Sequence, residues 1–166
     1  MRAYVGLGSN LGDPAAQFRA ARIAMAGLPD TRLRALSPVY RSAPMGPADQ
    51  PEFLNAVVAL DTRLSPLELL DELQSIEAIR GRVRSRHWGP RTLDLDLLLY
   101  GEQLLTHPRL QLPHPGVHQR GFVLYPLADI APDAHIPGHG LVRDLINTLP
   151  AEQLLRVHDF CWSERI

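Results

Sequence analysis

The chain has 166 residues, 45% of them apolar and 21% charged, with a formal net charge of −1. That length favours one domain over residues 1–166, with a core burying about 70% of the unfolded-chain surface. The near-neutral balance excludes a global field for nucleic acid or membranes, and all seventeen basic residues are arginine, which excludes a Walker-type lysine and a lysine Schiff base.

Ala3, Val5 and Leu7 alternate with Tyr4 and Gly6, predicting a first strand that ends near Gly8. Asp13-Pro14 opens a helix over Pro14–Ala26, with the aspartate as N-cap, and Gly27 and Pro29 stop it. Leu33–Tyr40 reads as a second strand in which Pro38 marks an edge or bulge. Ser42–Glu52, rich in proline and glycine, is a loop of the length used for functional lids. Phe53–Asp61 is a third strand. Ser65-Pro66-Leu67-Glu68 is a capping box opening a second helix, whose apolar face is Leu69, Leu73, Ile76 and Ile79 and which Gly81 ends. An arginine-rich loop leads into a fourth strand, Thr92–Tyr100, and a turn at Gly101-Glu102 leads to a short extra strand, Gln103–Leu105. Proline and histidine are frequent from Thr106 onward, with short helices at Val117–Ala128 and Leu141–Thr148. The order predicts an α+β protein: a ferredoxin-like βαββαβ core, an antiparallel sheet with helices packed on it, plus a short C-terminal α/loop extension. The one cysteine, Cys161, cannot form an internal disulfide, which fits the cytoplasm. The amino terminus lacks an apolar signal region, and no stretch reaches the ~20 apolar residues of a membrane span.

The segment Gly81–Gly101, GRVRSRHWGPRTLDLDLLLYG, carries the chemistry. Alternation along a strand sends Leu93, Leu95 and Leu97 to one face and Asp94 and Asp96 to the other. Two carboxylates on one strand face suit Mg²⁺ or Mn²⁺, including a pair of ions about 3.5–4 Å apart. Arg82, Arg84, Arg86 and Arg91 offer planar forks for phosphate oxygens, and Trp88 among them can stack on a flat ring. Nucleic acid and a nucleotide triphosphate are both open as their ligand. Gly6–Asp13, GLGSNLGD, joins a strand to a helix but fits neither the dinucleotide fingerprint nor a P-loop, so a tight turn is the better reading of its spacing. Asn55 shares a strand face with Phe53 and Val57, either as a structural amide or as a reader of a flat heterocycle stacked on Phe53. Gln74 and Glu77 lie off the apolar stripe of their helix, on a wet face. His114, His118, His135 and His139 have no zinc-ligand pattern with Cys or Glu, while His114, held between prolines, is a positioned donor or an idle loop residue.

Four blocks in chain order, GLGSNLGD, SPVYRSAPMGPADQPEFLN, GRVRSRHWGPRTLDLDLLLYG and LPHPGVHQRGFVLYPLADIAPD, resemble the 6-hydroxymethyl-7,8-dihydropterin pyrophosphokinase family of folate biosynthesis. The resemblance implies transfer of the pyrophosphoryl group of ATP to the pterin hydroxymethyl, leaving AMP. It implies Asp94 and Asp96 as ligands of two Mg²⁺ ions, and Arg82, Arg84 and Arg91 as the grip on the triphosphate, with Arg82 and Arg91 catalytic. Gln74, Glu77, Arg109, His114 and Arg120 match positions on the ATP side. Asn55 matches the pterin-reading amide, Phe53 and Phe122 the rings that sandwich the pterin, Trp88 the lid over it, and Ser42, Pro44 and Met45 the loop beside it. His87 stands where some relatives have arginine, and Phe53 where some have tyrosine. The implied partners are small molecules, with neither nucleic acid nor membrane, and the implied state is a monomer, with a dimer as the alternative. Two other classes compete: an RNA-binding module, which would want an RNP1-type aromatic string missing here, and an idle paralogue that binds without turnover.

Overall fold

A computed structural model describes residues 1–42, 53–81, 93–149 and 154–163. Strand β1 (Arg2–Ser9) buries Ala3, Val5 and Leu7 at alternate positions, as its sequence predicts. Helix α1 (Pro14–Ala26) has its predicted bounds because its punctuation is chemical. The Asp13 carboxylate accepts from the Ala16 N–H at 3.2 Å, Pro14 needs no donor in the first turn, and Gly27 follows the last residue. Phe18, Ala21 and Met25 form its buried stripe.

The second predicted strand is two strands. β2 (Thr31–Leu36) and β3 (Tyr40–Ser42) lie end to end along β4 (Phe53–Thr62), β2 on its C-terminal half and β3 on its N-terminal half. Pro38 has no N–H to continue the ladder. At the break the Ser37 hydroxyl accepts from the Val57 N–H at 2.9 Å, in place of a backbone carbonyl.

Helix α2 (Pro66–Ile79) opens with both halves of the capping box, Glu68 N–H to Ser65 Oγ at 3.2 Å and Ser65 N–H to Glu68 Oε1 at 2.9 Å. Leu69, Leu73 and Ile76 are buried as predicted. Ile79, the last residue before the C-cap Arg80, is instead 81% exposed. Strand β5 (Asp94–Tyr100) pairs with β1. The extra strand predicted at Gln103–Leu105 starts two residues later, as β6 (Leu105–His107), and forms a hairpin with β7 (Leu110–Leu112).

The sheet order β5-β1-β4, with β2 and β3 both beyond β4, is antiparallel and ferredoxin-like. Helices α1 and α2 fill one face against Val5, Leu7, Leu60, Leu95 and Leu97. The C-terminal part is more than an appendix. Its helix α3 (Gly121–Ile130) covers the opposite face, packing Val123, Leu124 and Leu127 on Val57, Leu98 and Leu99. It begins at Gly121 rather than Val117, after a turn over 115–119. Beyond the small β8–β9 hairpin (His135–Ile136 and Gly140–Leu141), α4 (Val142–Ile146) is shorter than predicted. Strand β10 (Leu155–Arg156) adds to the outer edge of β3, a pairing too short for any periodic signal in the sequence. None of the described helices is long and apolar enough to cross a membrane.

Candidate active site

The cross-strand register builds the site. Gly8 on β1 lies opposite Asp94 on β5 and opposite Asn55 on β4, and Gly6 lies opposite Asp96 and Val57. Directly opposed residues project to the same face, so the acid pair and the amide share the α3 side of the sheet. The glycines between them carry no side chain. A cleft of about 670 Å³ opens over this floor, within the range of ligand sites. Gly6 and Gly8 line it as strand residues. The alternation that predicts a strand ending near Gly8 places both glycines on it, while the tight turn expected of GLGSNLGD is confined to the residues after Ser9; the signal for the site was two glycines spaced i, i+2 inside an alternating strand.

Asp94 and Asp96, both half-buried, point into the cleft while Leu95 and Leu97 pack into the core behind it. At the β3–β4 end, the Asn55 amide is 6% exposed and donates to Ser42 Oγ at 2.6 Å. Phe53 from β4 and Phe122 from the first turn of α3 are half-buried cleft residues.

The other end is formed by α2, the β6–β7 hairpin and the loop before α3. Arg109 donates to Asp71 Oδ1 at 2.5 Å and to Gln74 Oε1 at 3.1 Å, tying the hairpin to α2. Glu77 departs from the sequence expectation. It is 4% exposed, and its carboxylate accepts from the Leu95 N–H at 2.7 Å, between the two acids of β5. Position 77 lies one turn beyond Leu73 and next to Ile76, so it falls on the edge of the buried stripe, where the Leu95 N–H of β5 gives its carboxylate a partner. The His114 N–H donates to Leu98 O at 2.9 Å, and His114 Nδ1 accepts from Gly116 N–H at 3.2 Å, which places any ring proton of the neutral imidazole on Nε2. Burial pushes the His114 pKa below its ordinary value; the Arg120 cation adds to this and Asp94 opposes it. Arg120 lies against Gly116, where a Cβ would fall 2.5 Å from Arg120 Nε. His114 and Arg120 both line the cleft, as do Gln74, Glu77 and Arg109.

Every described member of the expected site therefore faces one cleft, from seven different elements and loops. Arg82, Arg84, Arg91, Trp88, Pro44 and Met45 lie outside the described residues. Behind His114 a second, smaller cavity of about 400 Å³ runs to Pro137 and His139. His118 and His139 stack at 3.6 Å. Among the described residues no group of three or more His, Cys, Asp or Glu could hold a metal. An ion at Asp94 and Asp96 would thus draw further ligands from substrate oxygens and water, the habit of Mg²⁺. The oxygen-only donor pair fits that ion and not zinc.

The family model described as 7,8-dihydro-6-hydroxymethylpterin-pyrophosphokinase matches residues 4–132. A 2-amino-4-hydroxy-6-hydroxymethyldihydropteridine pyrophosphokinase of Pseudomonas aeruginosa is 57% identical over 156 residues, 94% of this chain and 96% of that protein. The protein of the same name from Haemophilus influenzae is 46% identical over 94% of this chain and 98% of its own. A solved HPPK-DHPS structure in complex with substrates superposes with a TM-score of 0.68 at 13% identity, covering 89% of this chain and 45% of that one. The wild-type Plasmodium falciparum HPPK-DHPS with pteroate gives 0.67 at 15%, covering 89% and 42%. At such identities the likeness shows the fold, and this chain spans less than half of those longer proteins. With its span and identities to the bacterial proteins, the chain belongs to the 7,8-dihydro-6-hydroxymethylpterin-pyrophosphokinase family.

Proposed function

We propose that the chain, as one domain over residues 1–166, transfers the pyrophosphoryl group of ATP to 6-hydroxymethyl-7,8-dihydropterin, a step of folate biosynthesis. The pterin hydroxymethyl oxygen attacks the β-phosphorus. The bond from that phosphorus to the oxygen bridging it to the α-phosphate breaks, AMP leaves with that oxygen, and the hydroxyl proton passes to solvent. The observation that carries this reading is the row Asn55, Gly8, Asp94 across three neighbouring strands, which sets a heterocycle reader and a phosphate-metal site on one open floor.

Asn55, oriented by Ser42, reads the polar edge of the pterin, with Phe53 and Phe122 on its faces. Gln74, Glu77, Arg109 and His114 hold the nucleotide end, His114 as a neutral Nε2–H donor. Arg120 places positive charge near the phosphates. Arg82, Arg84 and Arg91 complete the grip on the triphosphate, Arg82 and Arg91 on the groups in transfer. Pro44, Met45 and Trp88 close over the pterin and exclude water. Asp94 and Asp96 would hold Mg²⁺, two ions in this reading, which when bound neutralise phosphate charge and acidify the attacking hydroxyl. The single cysteine fits the cytoplasm, and we take the working unit as a monomer.

Incubation with ATP, Mg²⁺ and the hydroxymethyl pterin should release AMP and form the pterin diphosphate in equal amounts. AMP release that does not depend on the pterin would refute the reading.

A further inference from the structure

The described tail, residues 154–163, lies beyond the span matched by the family model, yet it is wired into the strand that leads to the site. Arg156 pairs with Tyr40 and Leu155 with Arg41 across β10 and β3. The Val157 N–H donates to Val39 O at 2.8 Å, and Trp162 Nε1 donates to Ser37 O at 2.8 Å. Trp162 stacks on Phe18 of α1 at 5.8 Å, with Phe160 edge-on to it at 5.1 Å. The tail thus spans the whole break between β2 and β3.

At the centre of this contact three side chains from three elements meet. The Tyr40 hydroxyl of β3 donates to Asp129 Oδ2 of α3. Arg156 Nη2 of β10 donates to Tyr40 Oη and to Asp129 Oδ1, each at 3.3 Å. Tyr40 is 8% exposed, and burial first, then the Asp129 hydrogen bond, raises its pKa, so it remains a donor across the neutral range. Charge-assisted bonds of this kind carry more geometric authority than neutral ones.

The position of this cluster gives it a consequence. Tyr40 lies directly opposite Asn55, and two residues on, Ser42 lies opposite Phe53 and accepts the Asn55 hydrogen bond. Asp129 is seven residues, two helical turns, beyond Phe122 on the same side of α3. The cluster therefore joins the element that carries Ser42 to the element that carries Phe122. We propose that Tyr40, Asp129 and Arg156 are positioning residues: they fix β3 against α3 and so set the spacing of the pterin slot from behind. This rests on the assignment of Ser42, Asn55, Phe53 and Phe122 to the pterin. Asp94 and the α2 end of the cleft are held by other contacts, to β1 and through Glu77, so the ATP end should not share the effect.

The test is a comparison of KM values from AMP formation, using Tyr40→Phe, Arg156→Ala, Arg156→Lys and Asn55→Ala. Tyr40→Phe removes one hydroxyl and keeps the buried ring, so it tests the cluster without a packing defect. Tyr40→Phe and Arg156→Ala should each raise the pterin KM by about tenfold, the scale of one lost charge-assisted hydrogen bond, with the ATP KM within about twofold. Arg156→Lys, which keeps a cation beside Asp129, should recover much of the loss. Equal rises in both KM values, or no rise in either, would overturn the proposal. If Asn55→Ala weakens the pterin while the cluster variants do not, the positioning role of the cluster alone is wrong. If Asn55→Ala leaves pterin KM unchanged, the underlying assignment falls, and the role of the cluster with it.

Discussion

The two faces of the sheet are built from the same strands and do opposite work. On the α1–α2 face, Val5, Leu7, Leu95 and Leu97 are at most 4% exposed and make a dry core. On the α3 face, the residues that alternate with them along the same strands, Gly6, Gly8, Asp94 and Asp96, are only half-buried and line the cleft. Helix α3 covers part of this face, over Val57, Leu98 and Leu99, and stops short of the acids. A polar site on the face of a sheet can be rigid because its reverse side is packed solid. Strand β5 shows this most directly, since each aspartate is flanked in sequence by leucines locked into the core.

If the faces are separable, substitutions on them should break different things. The largest effect belongs to Asp96→Ala: AMP formation should fall by about 10³-fold or more, with the unfolding midpoint close to that of the parent chain. A midpoint that drops as far as the rate would show that the acids serve the fold. One residue along, Leu97→Ala should cost about 2–5 kcal/mol by denaturant titration, because the core cannot collapse around the lost methyls. Its kcat per folded molecule should stay within about twofold. Glu77→Ala tests the seam between the faces. It leaves the buried Leu95 N–H without this acceptor, so about 1–3 kcal/mol of stability should go, and turnover should fall because the acids on either side lose their brace. Loss of stability with full turnover would confine Glu77 to the core.

The smallest effect is in pH. The pKa of His114 is lowered by burial, so the unfolded chain binds the proton more readily than the folded one below pH about 6.5. Stability should therefore be full above that value and decline as pH falls through it, by at most about 1.4 kcal/mol per pH unit for one site. His118, also pushed down by burial and by His139, adds in the same direction. His114→Gln should flatten the pH 5–7 stability profile in part; an unchanged profile would remove His114 as a source.

What could be read in the sequence follows from the range of the signals. Period-two alternation put Asp94 and Asp96 on one face, and Asp13, Pro14 and Gly27 fixed α1 to the residue, because each signal acts over one turn or one pleat. Pro38 announced an irregularity but not its form, which depends on Ser37 finding Val57 on a neighbouring strand. Glu77 is buried against its wet-face expectation because the group it pairs with, the Leu95 N–H, lies on β5, and helical periodicity does not report a partner on another element. Gly6 and Gly8 matter through what stands opposite them, and a missing side chain has meaning only once the register is known. The tail strand β10, two residues long, left no pattern at all.

Strand β5 ends the sheet, and its sequence DLDLLLY is the kind of leucine-rich border that invites foreign chains to pair. Two of its outward backbone groups are already taken, the Leu95 N–H by Glu77 and the Leu98 carbonyl by the His114 N–H, and β7 packs beside it. The groups proposed to hold the nucleotide thus also deny the strand to intruders. Damage to this corner should surface first as clumping during expression, before any defect in the purified enzyme is measured.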